Sequence, residues 1–251
     1  MTRTMILIHG AWQGSWSFAS WRPLLARRGW TAHAVDLPGN GWGEETPDAA
    51  SLDAYVEHVA ACIEEIGEPV VVLGHSGGGI VASQVAEAIP ERVACTVYLA
   101  GMMLPSGMSY ASLVEVCKAE HPELDFAGVG PHLEYSADGR YSAVPPEVAQ
   151  RIFLHDCAPS DARYAASLLR PQAERGRIMA PSLSPNRYGK VPRIYVEATQ
   201  DRSLLHASQR KMQALSPGAI RVSLDCGHVP QLAAPERLTE LLCTELEQLL
   251  P

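Results

Sequence analysis

One stretch of this 251-residue chain restricts its fold more than any other. Residues 70–73 are four consecutive apolar side chains, three of them β-branched, and they indicate a strand buried on both faces. The pattern G-x-S-x-G follows at once as Gly74-His75-Ser76-Gly77-Gly78, and a helical run begins at Ile80. A strand, a sharp turn and a helix in this order predict a nucleophile elbow, in which the turn lifts the Ser76 hydroxyl above the sheet.

The same stretch has a simpler interpretation, because a short motif of this kind is not specific by itself. A glycine-rich turn can join a strand to a helix with Ser76 acting only as a helix cap. In an elbow, by contrast, Gly74 and Gly78 are required, since a Cβ at either position would crowd the neighbouring strand and helix. The helix N-terminus would also face any oxyanion that forms at the serine.

Strands and helices alternate on both sides of this stretch, which predicts an α/β fold with a mostly parallel central sheet flanked by helices. Functional sites of such sheets lie at the carboxyl ends of the strands. The predicted strands are 5–8, 31–35, 70–73, 96–100, 193–196 and 220–224, and the predicted helices are 18–28, 52–66, 80–88, 205–215 and 235–250.

The middle of the chain has a different composition. Residues 102–190 hold nine of the nineteen prolines, with helical segments predicted at 110–119 and 160–170 and no strand of the earlier buried kind. An insertion on the carboxyl-edge side of a sheet predicts a lid, or cap, over a pocket, and a separate small domain without a catalytic part is the alternative. The prediction is therefore an α/β core in two parts, 1–101 and 191–251, with a lid at 102–190. Apolar residues expected to roof the pocket include Leu104, Tyr110, Phe126, Phe153 and Leu154.

Composition argues against several classes of function. The net charge of −8 is unsuited to binding nucleic acid or an anionic membrane surface. The six cysteines form no C-x-x-C pair, which favours reduced thiols over a zinc site or a disulfide framework. The glycine cluster is not G-x-G-x-x-G, so no dinucleotide cofactor is expected. A core strand follows directly after the first residues and no apolar run has membrane-spanning length, so we expect a cytoplasmic protein. From the cysteine and glycine patterns we expect that it needs neither metal nor cofactor.

Two residues complete a catalytic pattern with Ser76. Asp201 and His228 each follow a predicted strand by a few residues, in the chain order Ser, Asp, His. A serine hydroxyl becomes nucleophilic when a neutral imidazole takes its proton, and a buried carboxylate must hold that imidazole. Glu197 and Asp225 remain alternatives to Asp201, and His75 is interpreted as structural because neighbours in a sharp turn point apart.

The loop after the first strand, His9-Gly10-Ala11-Trp12, is typical of an oxyanion loop. The backbone N–H groups of Ala11 and Gly77 are expected to stabilise the oxyanion, each by about 3–4 kcal/mol in the transition state. An ordinary turn with packing aromatics is the alternative. The residues expected to contact substrate are Gly10, Trp12, Met102 and Phe153.

Several motifs together resemble the α/β-hydrolase superfamily, in particular the subfamily of plant methyl-ester esterases, hydroxynitrile lyases and their bacterial esterase relatives. The resemblance covers nearly the whole chain and implies a triad of Ser76, Asp201 and His228, with oxyanion N–H groups at Ala11 and Gly77. The motifs are His9-Gly10-Ala11-Trp12-x-x-x-Trp16, Asp36-Leu37-Pro38-Gly39-Asn40-Gly41, the elbow, Asp156-Cys157 with Leu169-Arg170-Pro171, Thr199-x-Asp201 and Gly227-His228.

Two departures from that subfamily bear on the reaction. The lyases that the chain resembles have threonine at the position of Gly10 and lysine at the position of Val229, and neither residue here can bind a cyanohydrin hydroxyl or departing cyanide. We therefore expect a carboxylesterase that cleaves small to medium carboxylic esters through an acyl-enzyme. A hydroxynitrile lyase, another C–C or amide-cleaving hydrolase and a non-catalytic small-molecule receptor are the alternatives. The expected partner is a small ester substrate, and the sequence leaves a homodimer open.

Overall fold

Six parallel strands form the central sheet of the computed structural model, which describes residues 3–40 and 47–250. In the described part of the chain the strands are β1 (Thr4–Ile8), β2 (Thr31–Val35), β3 (Val70–His75), β4 (Val93–Leu99), β5 (Glu134–Tyr135), β6 (Tyr141–Ala143), β7 (Gln172–Ala173), β8 (Arg193–Ala198) and β9 (Ile220–Leu224). The order across the central sheet is β2-β1-β3-β4-β8-β9, and every neighbouring pair is parallel. The predicted α/β fold with a mostly parallel sheet is thus confirmed.

Helices cover both faces of the sheet, and in the second helix local signals set both ends. The Ser51 side chain caps the second helix by accepting from the Ala54 N–H, and Gly67 ends that helix in the left-handed region at a φ of 81°. The helices are α1 (Arg22–Arg27), α2 (Leu52–Ile66), α3 (Gly78–Ala88), α4 (Tyr110–Glu120), α5 (Pro146–Ile152), α6 (Pro159–Leu168), α7 (His206–Leu215), α8 (Pro230–Ala233) and α9 (Pro235–Leu249).

The first helix differs from its prediction at 18–28. Ser15–Phe18 form a short 3-10 turn, and α1 begins only at Arg22. Pro23 explains the difference, because a proline in a helix interior removes a hydrogen bond and collides with the preceding turn, whereas the first turn tolerates it.

The central strands are buried on both faces, as four consecutive apolar residues predict. Along β1 the side chains alternate between two clusters, with Met5 and Leu7 packed on one face and Ile6 and Ile8 on the other. The first face packs against α1 and α9, and the second against α2 and α3. This packing fixes the carboxyl ends of β1, β3, β8 and β9 at one edge, where the loops of interest emerge.

Segment 102–190 contains α4, α5 and α6 and a small antiparallel sheet of β5, β6 and β7. Neither the small sheet nor α5 was anticipated from the sequence. A third apolar cluster, formed mainly by α5 and α6, joins this segment to Trp12 and Val229 of the core. The predicted turn that ends at Gly41 lies in part outside the described residues.

Candidate active site

Ser76 occupies a strained turn between β3 and α3. Its φ is 50°, in the left-handed region that costs a non-glycine residue about 1–3 kcal/mol. Backbone hydrogen bonds hold it there: its N–H donates to Leu99 O at 3.3 Å and its carbonyl accepts from the Met102 N–H at 2.8 Å. The strain is thus retained by contacts with the strand next to β3.

The elbow glycines are required by close backbone contacts. A Cβ at Gly74 would collide with the Gly78 carbonyl group, and a Cβ at Gly78 would lie 2.6 Å from the carbonyl oxygens of Ile8 and His9. The close approach of β1, β3 and α3 therefore allows no side chain at either position.

The three residues predicted as a triad meet at this edge of the sheet. His228 Nε2 lies 3.1 Å from Ser76 Oγ, and His228 Nδ1 lies 2.7 Å from Asp201 Oδ2. Asp201 and His228 are both buried. Asp201 accepts a hydrogen bond from Nδ1–H, which leaves Nε2 free to accept the serine proton.

The Asp201 carboxylate is oriented by its own loop. Its Oδ1 accepts from the backbone N–H groups of Ser203 at 2.7 Å and Leu204 at 2.9 Å. Gln209 Nε2 lies 3.4 Å from Oδ2. With Oδ1 held by two donors, Oδ2 is directed at His228.

The alternative carboxylates have other partners. Burial raises the pKa of Glu197, but hydrogen bonds from neighbouring side chains outweigh burial and lower that pKa to about 2. Asp225 accepts from Thr199 and Gln200 at the surface. Neither carboxylate contacts His228 in the described structure. The side chains that donate to Glu197 are His206, Arg210, Gln213 and Ser223.

The two predicted oxyanion donors lie side by side. A Cβ built on Gly77 would be 3.9 Å from the Ala11 backbone nitrogen. Gly77 is the N-cap of α3, so its N–H belongs to the free end of a helix. Among the residues that the structure describes, neither N–H donates a hydrogen bond. Both are therefore available to a bound oxygen atom.

His75 ties the elbow to the loop of His228. Its Nε2–H donates to the His228 carbonyl oxygen at 2.8 Å, and its Nδ1 lies 3.0 Å from the side-chain amide of Gln13. Complete burial lowers the pKa of His75 to about 3, so the ring is neutral at physiological pH. His75 thus has a structural part, as its place beside the nucleophile predicts.

A cavity of about 780 Å³ opens in front of Ser76. Gly10, Trp12, Met102 and Phe153, the four residues predicted to contact substrate, all line it. Trp12 stacks on Phe153 with ring centroids 6.0 Å apart, and Phe153 stacks on the His228 imidazole at 5.3 Å.

Segment 102–190 supplies much of the wall. Of the expected roof residues, Tyr110, Phe126 and Phe153 line the cavity, whereas Leu104 and Leu154 are buried in the core and are not among its lining residues. Sequence reasoning missed a polar corner of the cavity formed by Asn40, Tyr55 and Gln172. Asn40 belongs to the motif of residues 36–41, but nothing in the sequence connects it with Tyr55 and Gln172, because the three come together only through the fold.

Three further observations concern metal ions, membrane-spanning helices and cysteines. In the described ranges no cluster of three or more His, Cys, Asp or Glu side chains could hold a metal ion. No helix among the described residues is long and apolar enough to cross a membrane. All six cysteines are free thiols.

Comparison with known proteins adds independent findings. A family model described as "Alpha/beta hydrolase family" matches residues 5–241. The chain is 29% identical to a pyrethroid hydrolase from Sphingobium wenxiniae over 95% of this chain and 85% of that protein. It is 25% identical to methylesterase 1 from Arabidopsis thaliana over 94% of this chain and 92% of that protein. The crystal structure of a pyrethroid hydrolase from Sphingobium faniae JZ-2 superposes with a TM-score of 0.86 at 26% identity, covering 99% of this chain and 98% of that one.

Proposed function

Because the chain belongs to the alpha/beta hydrolase family, we propose that it is a cofactor-independent serine carboxylesterase with Ser76, His228 and Asp201 as its triad. The observation that carries the proposal is the chain of hydrogen bonds from Ser76 Oγ to His228 at 3.1 Å and on to Asp201 at 2.7 Å. Ester hydrolysis as the activity is supported by relatives that are named as a hydrolase and a methylesterase.

Acylation follows from the positions of these groups. Ser76 Oγ attacks the ester carbonyl carbon while its proton moves to His228 Nε2, and Asp201 stabilises the imidazolium. The carbonyl oxygen becomes an oxyanion between the N–H groups of Ala11 and Gly77. As the tetrahedral intermediate collapses, the C–O bond to the alcohol breaks and His228 transfers the proton it took from Ser76 to the leaving oxygen. The products are an acyl-enzyme and a free alcohol.

Deacylation repeats the sequence with water as the nucleophile. His228 takes a proton from water as its oxygen attacks the acyl carbon, and the oxyanion forms at the same two N–H groups. Collapse breaks the bond to Ser76 Oγ, which regains a proton from His228. The carboxylic acid leaves and the enzyme returns to its starting state.

The shape of the cavity supports small to medium esters as substrates. Its volume of about 780 Å³ falls in the range usual for drug-sized ligands. Much of the wall near Ser76 is apolar and aromatic, including Trp12, Met102 and Phe153. Alkyl and aryl esters therefore fit better than long-chain triglycerides. A clear rate optimum on long-chain substrates would contradict this proposal.

Segment 102–190 is best interpreted as the lid of this site. Tyr110 and Phe126 line the cavity, and Phe153 covers the imidazole of His228. A lid of this kind limits the access of water and shapes the ester that can enter. This proposal assigns substrate selection mainly to 102–190 and the chemistry mainly to the core.

Two positions argue against lyase chemistry. A Cβ at Gly10 would lie 2.8 Å from Ser76 Cβ, so no threonine could occupy this position without a shift of the loop. Val229 is fully buried in an apolar cluster and supplies no charge for a departing cyanide. An ester requires neither group.

The proposal is tested by release of p-nitrophenol from its acetate and butyrate esters. We expect turnover by the wild type and a loss of at least about 10³-fold in Ser76→Ala. Ser83→Ala is the matched control, because Ser83 is a buried serine of α3 that bonds Gly79 O and Tyr98 instead of the site. It should retain turnover. Equal rates in wild type and Ser76→Ala would refute the proposal, and faster cleavage of a cyanohydrin than of any ester would replace it.

A further inference from the structure

Trp12 is strained, although it does not react. It lies in the loop after β1, next to Ala11, and its φ is 62°. A bulky aromatic residue in the left-handed region costs about 1–2 kcal/mol, so neighbouring contacts must hold it there. Those contacts show what keeps the candidate oxyanion loop in shape.

The polar groups of Trp12 bond to segment 102–190 rather than to the core. Its N–H donates to Gln172 Oε1 at 3.3 Å, and its carbonyl accepts from the Arg170 N–H at 3.0 Å. Its indole Nε1–H lies 3.1 Å from both the carbonyl oxygen and Oγ of Ser142. The loop after the first strand is thus held by residues that lie at least 130 positions later in the chain.

Gln172 is the residue whose side chain bonds the Trp12 backbone, so this contact can be changed by substitution without altering the backbone. It is 2% exposed, and its amide has a fixed orientation. Its Nε2 donates to Asn40 Oδ1 at 2.8 Å and to Ala173 O at 3.2 Å, so Oε1 must face the Trp12 N–H. Tyr55 completes this polar corner by donating its hydroxyl to Asn40 Oδ1 at 2.9 Å.

The Trp12 N–H belongs to the peptide group that joins Ala11 to Trp12. Fixing this peptide group also restrains the backbone dihedral angles of Ala11 and so the direction of the Ala11 N–H, which lies beside Gly77. Oxyanion donors must stay within a few tenths of an ångström of their best position, because their effect depends on geometry formed before the reaction. A hydrogen bond one peptide away can therefore set the strength of the hole without touching substrate.

We propose that Gln172 is a positioning residue for the oxyanion hole, which it holds in its active geometry by accepting the Trp12 N–H. The proposal rests on the proposed esterase function, and it assigns to segment 102–190 a part in transition-state stabilisation besides the selection of substrate. The acceptor oxygen of Gln172 is the essential group, and its amide nitrogen serves to orient that oxygen.

The test compares Gln172→Met with Gln172→Glu. Methionine has nearly the same shape but no strong acceptor, so the Trp12 N–H loses its partner. Glutamate keeps an acceptor oxygen there, and the Asn40 amide and the Tyr55 hydroxyl can turn to donate to its other oxygen. Both variants remove the donor to the Ala173 carbonyl oxygen, so that loss is common to the two and does not affect the comparison. Tyr98→Phe is the matched control for lost stability, since Tyr98 is fully buried and bonds Ser83 and Tyr188 away from the loop.

Two kinetic measurements separate positioning from a general loss of stability. For Gln172→Met we expect kcat on p-nitrophenyl butyrate to fall about 10- to 100-fold at nearly constant KM, because the oxyanion forms only after binding. The second measurement is inhibition by butylboronic acid, whose boron bonds to Ser76 Oγ and places an oxygen in the hole. Its Ki should rise by the same factor as kcat falls. Gln172→Glu should stay within about fivefold of wild type in both, because the acceptor is retained.

The outcomes distinguish this inference from the proposed function. Wild-type turnover that Ser76→Ala abolishes establishes the esterase whatever the Gln172 variants do. Given that result, unchanged kcat and Ki in Gln172→Met, or equal losses in Gln172→Met and Gln172→Glu, would overturn the positioning role. A lowered Tm with unchanged kinetics, as expected for Tyr98→Phe, would also overturn it. Asn40→Ala removes one of the acceptors that orient the Gln172 amide and leaves the Tyr55 hydroxyl and the Ala173 carbonyl oxygen in place. It should lower kcat about fivefold, and an unchanged kcat would count against the positioning role even if Gln172→Met does not fold.

Discussion

Replacing Glu197 by glutamine tests whether a buried carboxylate near the site serves stability or catalysis. Glu197 lies near the end of β8, between α7 and β9, and its side chain is 1% exposed. Arg210 donates to Oε1 at 3.1 Å and the Ser223 hydroxyl to Oε2 at 2.6 Å. These bonds join α7, β8 and β9, so the charge of Glu197 contributes to the folded state.

The magnitude follows from the pKa of Glu197. Burial raises this pKa, but side-chain hydrogen bonds outweigh burial and lower it from 4.5 to about 2. A difference of that size between the unfolded and folded states corresponds to about 3 kcal/mol of folding free energy. Because the folded pKa is the lower one, this stability is present above pH 4.5 and is lost between pH 4.5 and about pH 2.

Thermal and urea unfolding of Glu197→Gln measure the effect. At pH 7 we expect the variant to lose up to about 3 kcal/mol, or roughly 6–12 °C in Tm for a chain of this size. The difference from wild type should shrink as pH falls below 4.5. Below its Tm the variant should keep the wild-type kcat, since Glu197 does not contact His228. Asp225→Asn, at an exposed carboxylate whose hydrogen bonds lie in solvent, is the control and should change Tm much less. The reasoning would be refuted if the difference in unfolding free energy between variant and wild type stayed constant down to pH 2.5. A loss of kcat as large as that expected for Asp201→Asn would also refute it.

Three further substitutions test the site itself. Asp201→Asn should lower kcat on p-nitrophenyl esters about 10³- to 10⁴-fold with little change in Tm. The asparagine oxygen still accepts the two loop N–H groups, but its NH₂ group faces Nδ1 of His228 and holds the imidazole in the wrong tautomer. Gly74→Ala should destabilise the fold by about 4 kcal/mol, measured by urea unfolding, because its Cβ would collide with the Gly78 carbonyl. Phe153→Ala should raise KM for aryl esters about tenfold and lower Tm, as an aromatic wall that stacks on His228 is removed.

The elements that the sequence predicts well are those with strong local signals. The ends of α2 follow from Ser51 and Gly67, and β3 follows from four buried residues before a glycine turn. The α1 prediction was wrong at its start because Pro23 was placed in a helix interior. Strands β5 and β7 have two residues each, too few to show any periodicity.

In the candidate site, too, some residues could be predicted from local signals and others could not. Ser76, Asp201 and His228 could be chosen because each follows a predicted strand, and parallel strands bring their carboxyl ends to one edge. The acid remained ambiguous in the sequence, since Glu197, Asp201 and Asp225 all lie near strand ends. Only the fold determines the direction of each side chain. In the structure Asp201 lies within hydrogen-bond distance of His228, and Glu197 and Asp225 point to other partners. Contacts such as that of Gln172 with Trp12 join distant segments and have no local signature.

Three buried histidines lie at this edge of the sheet, and their hydrogen bonds determine which one can act as the base. His9 donates from Nδ1 to the Gly10 carbonyl oxygen and accepts the Leu37 N–H on Nε2, so both its nitrogens are occupied. His75 is likewise occupied on both sides, and its pKa of about 3 keeps it neutral throughout the usual assay range. His228 alone of the three pairs a carboxylate with the serine hydroxyl. Any loss of activity that appears on lowering the pH from 8 to about 5 therefore cannot come from charging His75. If His75→Asn moved the midpoint of the pH–rate profile without lowering Tm, this division of roles among the three histidines would be wrong.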